Sequence, residues 1–365
     1  MYRRLFLTNL AFCALALGSS LQPQSRTVNL RQWGYALPAN FRHISQEERA
    51  GSSRLLAFYE NGSVVAGFVT READTLATRD HPALTLHVIT FSKGGSFLSE
   101  LKFPTSMWNG NGIFVSSSGD LLVRTPDALT LYSEAGKILT KRPLDRRVSL
   151  RVFSNRQEAV LEQEHDIQVI SLRTLATVKR CSYPYWFGWF SNHNVMFLLP
   201  RDPADLQRPF GLRVDEICGP TQFTYRWRLL PGAGLATLLD DTRFITIGLR
   251  AIEVVDRDAP QWRDSFGKYR CPLEAQTDQE ARTFAIVLAE SVGGSRILDI
   301  NSRLKSVKIV VYRTTDGKRL AEVPVEHLGK PAFSPYLFHF ALSPDGSLLA
   351  VLSDGFLQIT PISGE

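Results

Sequence analysis

The residues able to do chemistry are scattered rather than clustered. Seven histidines, His43, His81, His87, His165, His193, His327 and His339, are spread along the chain. None pairs with a second histidine at helical zinc spacing or with a cysteine at ligand spacing. His87 falls inside an alternating apolar run, where it reads as a satisfied core residue or a solvent-face residue. The carboxylates Asp215, Glu216, Asp240, Asp241 and Asp345 sit in turn-like stretches, and no Asp-x-Asp-x-Asp-Gly calcium loop occurs. A Gly-x-Ser-x-Gly nucleophile elbow is absent. Gly94-Gly95 and Gly293-Gly294 lack the strand-to-helix setting of a phosphate loop and read as hairpin turns. No catalytic residue, resident metal or cofactor is expected from these side chains.

Two stretches could bind rather than react. The aromatic run from Tyr183 to Phe190 holds Trp186 and Trp189. Its rings suit the space between packed sheets, and any that face solvent could stack on a flat ligand. The two tryptophans are the candidates for that role. The densest basic stretch runs from Lys141 to Arg151. It reads as a solvated connector, or as an anion site for an acidic glycan or lipid headgroup carried by Arg142, Arg146 and Arg147.

The elements that must position these residues repeat. A polar turn followed by a short apolar strand occurs seven times, in the order Glu60 to Ala66, Ser117 to Val123, Ser154 to Leu161, Ser191 to Leu198, Leu239 to Thr246, Thr277 to Val287 and Ser343 to Ala350. With Gly62, Gly119, Gln157, Asn194, Thr242, Glu280 and Gly346 set as equivalent, the spacings are 57, 38, 37, 48, 38 and 66. The shorter spacings approach the roughly 40–45 residues of a four-stranded propeller blade, and the longer ones imply inserted loops. A second alternating strand follows most turns, as at Leu84 to Phe91, Ala128 to Tyr132 and Val307 to Tyr312. No long segment carries a helical period. The pattern predicts an all-β, seven-bladed β-propeller of four-stranded antiparallel blades. The last copy lacks a strand, and Arg26-Thr27-Val28-Asn29-Leu30 is expected to supply it and close the ring.

The stretch Ser343-Pro344-Asp345-Gly346 with Leu348-Leu349-Ala350-Val351 after it resembles the WD-repeat-like and YVTN-type β-propellers of exported bacterial proteins. The Trp-Asp and Gly-His dipeptides of true WD repeats are missing. The resemblance implies architecture over nearly all of the chain and no particular activity, because propellers host enzymes, receptors and scaffolds alike.

The N-terminus reads as a secretory signal. Arg3 and Arg4 precede an apolar run from Leu5 to Leu17, and small residues follow at Gly18, Ser19 and Ser20. Residues 1–20 are expected to be removed, with cleavage after Gly18 or Ser20, leaving 21–365 as one propeller domain in the periplasm or outside the cell. No later stretch is apolar enough to cross a membrane. The formal charge of +6 includes both signal arginines; the remaining balance of about +4 does not suggest a nucleic-acid surface. Cys181, Cys218 and Cys271 remain, an odd number. A disulfide is allowed in an oxidising compartment; the roughly 7 Å Cα reach of a bridge disfavours equivalent sites on neighbouring repeats, and the pairing among the three is left open.

Composition and repeats together favour a non-catalytic scaffold that binds another protein or a cell-envelope component. The alternative is a lactonase- or quinoprotein-like propeller enzyme, with calcium or a cofactor held by three or more Asp, Glu, Asn or His side chains at the channel mouth.

Overall fold

The computed structural model describes residues 25–36, 54–71, 84–107, 110–153, 156–163, 166–182, 186–190, 196–200, 210–214, 217–219, 223–226, 235–239, 242–248, 250–256, 259–267, 275–291, 304–326 and 338–362. Within 186–214 and 223–238 the description extends to the strands but not to their side chains. The expected signal peptide and Cys271 lie outside the described residues.

A short strand, β1 (Arg26–Asn29), comes first. Blade one follows as β2 (Leu56–Phe58), β3 (Val64–Arg71), β4 (Leu84–Phe91) and β5 (Phe97–Thr105). Blade two is β6 (Gly112–Val115), β7 (Leu121–Thr125), β8 (Ala128–Tyr132) and β9 (Ile138–Pro143). Blade three is β10 (Ser149–Val152), β11 (Glu158–Gln163), β12 (Asp166–Ser171) and β13 (Thr177–Ser182). Blade four is β14 (Trp186–Phe190), β15 (Met196–Pro200), β16 (Phe210–Val214) and β17 (Phe223–Arg226). Blade five is β18 (Leu235–Leu238), β19 (Arg243–Ile247), β20 (Ala251–Asp256) and β21 (Ala259–Ser265). Blade six is β22 (Ala275–Thr277), β23 (Thr283–Ser291), β24 (Leu304–Arg313) and β25 (Arg319–Pro324).

Six blades, not seven, are therefore contiguous in sequence. The remaining four-stranded sheet is composite, built from β26 (Phe338–Leu342), β27 (Leu348–Ser353) and β28 (Phe356–Pro361) with β1 on its outer edge, in the order β1-β28-β27-β26. Arg26 lies opposite Ile359 and Asn29 opposite Phe356. The closing strand is one residue shorter than the sequence suggests. Leu30 opens a 3-10 helix, Leu30–Trp33, that ends at Gly34 in the left-handed region. Leu30 is fully buried and its N–H donates to Gly355 O at 2.7 Å.

First strands meet first strands. β2 lies beside both β6 and β26, β22 beside β26, and β14 beside β18. They form the inner wall, and the fourth strands lie on the rim. Apolar clusters run between neighbouring blades. One joins the composite sheet to blades one and two through Leu357, Phe68 and Ile113. Another joins blades two and three through Leu122 and Leu161, and a third joins blades five and six through Ile252 and Phe284. Alternation places apolar residues on both faces of the inner three strands, which are therefore buried on both sides. Rim strands instead show mixed exposure with Lys, Arg or Pro, as in Ile138–Pro143 and Thr177–Ser182. Charge and proline on an open sheet edge discourage pairing with other chains.

The turn between the first and second strands explains the repeat signal. The N–H of Gly62, Gly119, Arg156, Ala281 and Gly346 donates to the carbonyl three residues earlier, and each of these residues has positive φ. Glycine takes that conformation without steric cost, which is why three of the turns carry it. The structural equivalents in blades three and six are Arg156 and Ala281, each at φ +53°, rather than Gln157 and Glu280. Five blades also share a register shift between their third and fourth strands, at Thr90/Phe91, Leu131/Tyr132, Val169/Ile170, Val254/Val255 and Val311/Tyr312. Such an irregularity increases local twist and turns the rim strand away from its neighbour. Among the described residues no helix is long and apolar enough to cross a membrane.

Candidate functional site

Two regions stand out: the channel wall and the rim of the first three blades. The channel wall is built from the seven first strands, whose sequences are LAF, GIFV, SLRV, WFGWF, LATL, AQT and FHFAL. None contains an aspartate or glutamate. A cavity of about 210 Å³ opens among their ends, lined by Arg54, Phe58, Phe114, Phe153, Arg156 and Gln276 with their neighbours. Arg54 precedes β2. Its Nη2 donates to Gln276 Oε1 on blade six at 3.1 Å, and its guanidinium carbon stands 5.8 Å from the centre of the Phe114 ring. Arg156 leaves the first turn of blade three, and its Nη1 donates to Phe58 O on blade one at 3.0 Å. The same nitrogen lies 3.4 Å from Glu60 Oε1.

These cations are held in low-dielectric surroundings. Desolvation pulls Arg156 below its ordinary range; Glu60 opposes that shift and the Arg54 charge adds to it. His339, on the inner strand β26, is pushed down to about 4 by desolvation and by Arg54, so its imidazole is neutral near pH 7. Asp278 also lines the cavity, but its carboxylate is spent inside its own turn. It accepts from the Arg282 N–H at 2.8 Å, the Thr283 N–H at 3.2 Å and Thr283 Oγ1 at 3.2 Å. Desolvation raises the pKa of that acid. Among the described residues no three His, Cys, Asp or Glu side chains gather closely enough to hold a metal ion.

On the rim, Phe97 and Leu98 open β5, Ile138 and Leu139 open β9, and Val178 lies second in β13. All five are about half exposed. They fall at matching heights on three consecutive rim strands, each just after the turn from the third strand. Lys102, Lys141, Lys179 and Arg180 follow them on the same strands. Exposed apolar residues aligned across neighbouring elements mark an interaction surface more strongly than the same residues scattered singly.

The basic stretch between blades two and three is divided among separate partners. Arg142 turns toward blade three, where Nη1 donates to Leu175 O at 2.9 Å and Nη2 to Gln168 Oε1 at 2.6 Å. Arg146 Nε donates to Asp127 Oδ1 at 3.0 Å. Arg147 is exposed, and its backbone N–H donates to Asp145 Oδ1. Trp186 and Trp189 lie on the first strand of blade four, opposite Pro200 and Phe197; their side chains lie outside the described residues.

His87 forms a chain that its sequence context did not announce. Its Nε2 lies 2.8 Å from Thr70 Oγ1 and its Nδ1 2.7 Å from Glu100 Oε1, and its ring stacks on Phe68 at 4.8 Å. Hydroxyl, imidazole and carboxylate stand in the order used for nucleophile activation. His87 is nonetheless buried and covered by a phenyl ring, and the lining of the channel cavity does not include the three residues. The group is a satisfied polar network within blade one.

The cysteines correct a geometric expectation. Cys181 and Cys218 form a disulfide with Cα atoms 5.2 Å apart. They are not equivalent sites: Cys181 is on the rim strand of blade three, and Cys218 lies between β16 and β17 of blade four. The bridge reaches across one blade boundary and packs on Phe153, Val169 and Ile217.

Comparison with known proteins adds likeness at low identity. No family model and no curated protein matches the chain. Among solved structures, the chain is similar to the C-terminal WD40 domain of Sif2, at 10% identity and a TM-score of 0.46, with 86% of this chain and 95% of that one covered. It is similar to Hsv2 of Kluyvelomyces marxianus at 12% identity and a TM-score of 0.44, covering 69% of this chain and 72% of that one. The assignment of the fold rests on the sheet order and inner-strand contacts above.

Proposed function

We propose that the chain is an exported, non-catalytic binding scaffold whose partner is another protein docked on the rim of blades one to three. The observation that carries this is the stripe of half-exposed Phe97, Leu98, Ile138, Leu139 and Val178. A surface of this kind supplies an apolar centre, and the charged residues that follow on each strand, Lys102 beside Glu100 and Arg180 paired with Asp166 among them, supply a polar border. The favoured partner presents a complementary apolar patch with its own polar border. The signal-like residues 1–20 and the Cys181–Cys218 bridge support export to an oxidising compartment, the periplasm or beyond. The likeness to YVTN-type exported propellers belongs to the same proposal.

Site-specific photo-crosslinking in the native host tests the docking. A photoreactive residue at Leu139 should yield one discrete adduct with an envelope protein, and Leu98→Asp should abolish it. The same probe at Gln261, on the rim strand of blade five, should yield none. No adduct at Leu139, or an adduct that survives Leu98→Asp, refutes the docking surface. Intact mass of the secreted chain tests export, with an N-terminus at Ser19 or Leu21 as the expected result.

A further inference from the structure

The segment that closes the ring, residues 25–36, also touches blade one. Arg26 Nη1 donates to Gly94 O at 2.9 Å, inside the turn between β4 and β5. Val28 packs against the next residue: a Cβ added at Gly95 would stand 3.2 Å from Val28 Cγ2. The Trp33 ring stacks on Phe97, with centres 5.8 Å apart, and meets Phe91 edge-on at 5.3 Å. The Tyr35 ring meets Phe68 edge-on at 5.6 Å. Phe97 is the first residue of the apolar rim stripe, so the closing segment supports one end of that stripe.

These contacts belong to a pattern along the rim. In four blades the turn from third to fourth strand carries a residue of positive φ, namely Gly95, Gly136, Leu175 and Gly317. Each rests on the outer strand of the preceding sheet. Gly95 rests on Val28 of β1; an added Cβ at Gly136 would stand 2.8 Å from Leu101 of β5, and one at Gly317 2.5 Å from Trp262 of β21. The Leu175 carbonyl accepts from Arg142 of β9. Phe97 and Ile138 follow directly on their turns, and Val178 is the second residue of its strand. The sheet before it therefore sets the height of each stripe residue. Leu101 and Arg142 lie on blades contiguous in sequence, whereas Val28 lies on a strand held by β28 through four residue pairs, with three of its four residues exposed. A short, exposed edge strand opens more readily than the core it borders.

We propose that the closing segment is a releasable strap that completes the rim surface. On β28, its Arg26, Val28 and Trp33 hold the 92–96 turn and Phe97 in place. Off β28, that turn and the first stripe residue lose their support while the six contiguous blades persist. By linkage, a partner that engages Phe97 holds the strap closed, and a closed strap tightens the partner's binding by the same factor. The effect on docking rests on the function proposed above; the contacts within the chain do not.

Hydrogen exchange of the mature protein, read by mass spectrometry, tests the strap. In Val28→Ala/Trp33→Ala the protected amides of residues 95–101 should exchange at least tenfold faster than in the parent, and those of the blade six turn, 314–319, should not change. Arg26→Gln alters an exposed side chain and serves if the double variant fails to fold; losing its one hydrogen bond should speed the same amides by about threefold. Unchanged exchange at 95–101 overturns the proposal, and so does a rise that is equally large at 314–319. The photo-adduct at Leu139 reads the docking side, and its yield should fall in the double variant. Faster exchange with an unaltered adduct overturns the coupling of strap to docking. A parent that forms no adduct refutes the docking surface alone, and the exchange result then decides the strap.

Discussion

Removing the Cys181–Cys218 bridge is the most direct perturbation of the ring. The bond closes a loop with a sequence separation of 37. In the chain-entropy description, a loop of that length restricts the unfolded chain by about 4 kcal/mol at 25 °C. Both sulfurs also pack on the Phe153, Val160 and Val169 cluster, so Cys181→Ala/Cys218→Ala adds a small packing loss. Near the melting point, a loss of 4 kcal/mol in a chain of this length lowers Tm by about 5 °C if the blades unfold together. Differential scanning calorimetry of the parent and the double variant reads the shift, and reductant added to the parent should reproduce it. Thiol alkylation of the native protein provides the companion measurement, since Cys181 and Cys218 should label only after reduction. A double variant that melts with the parent, or prompt labelling of both thiols in the native unreduced protein, would refute the reasoning.

Acid should act in two stages. His339 titrates near 6.5 when unfolded and near 4 when folded. Between those values the unfolded chain holds the extra proton, so stability is complete above about pH 6.5 and declines as pH falls toward 4, by at most roughly 3 kcal/mol. Urea midpoints measured across that range should show the slope, and His339→Gln should flatten it. Below it, the carboxylates Asp264, held low despite desolvation by Tyr312 and Arg319, and Asp345, held low by Ser343 and Ser347, begin to lose their contribution as they protonate. Leu30→Ala empties a fully buried site beside the closing strand and should cost about 2–5 kcal/mol, read as a lower denaturation midpoint. Gly355→Ala should destabilise the same clasp by about 2 kcal/mol or more, because its φ is +77° and the added Cβ would meet the Tyr35 ring at 2.4 Å; unchanged melting would show that the clasp yields freely.

The architecture was legible because local chemistry and global repetition agree. Turns needing positive φ call for Gly or Asn, and the buried strands after them call for Val, Leu and Ile. The missing strand of the last repeat, with the need to close a ring, pointed to Arg26–Leu30, and the strand forms at Arg26–Asn29. The turn alignment slipped by one residue at Arg156 because nothing in its type marks it for a left-handed backbone. The bridge was left open because Cys218 was treated as a repeat position when it belongs to a loop after β16. The channel was invisible for a different reason: Arg54, Arg156, Gln276 and His339 are far apart in sequence, and only the ring brings them to one wall. In the basic stretch, sequence density suggested one site, whereas Arg142 and Arg146 face different neighbours.

The clasp between β1 and β28 sets the order of assembly. Ser25 Oγ and Thr360 Oγ1 meet at 2.9 Å across 335 residues. Closing a flexible loop of that length costs about 5 kcal/mol of chain entropy, which contiguous blades do not incur. Each of those six can zip locally as the chain emerges, while β1 must wait beside an unfinished ring until the last hairpin arrives. The slowest folding phase should therefore belong to the first-made strand. A circular permutant that places β1 directly after β28 would turn that late event into an ordinary hairpin closure and shorten the phase.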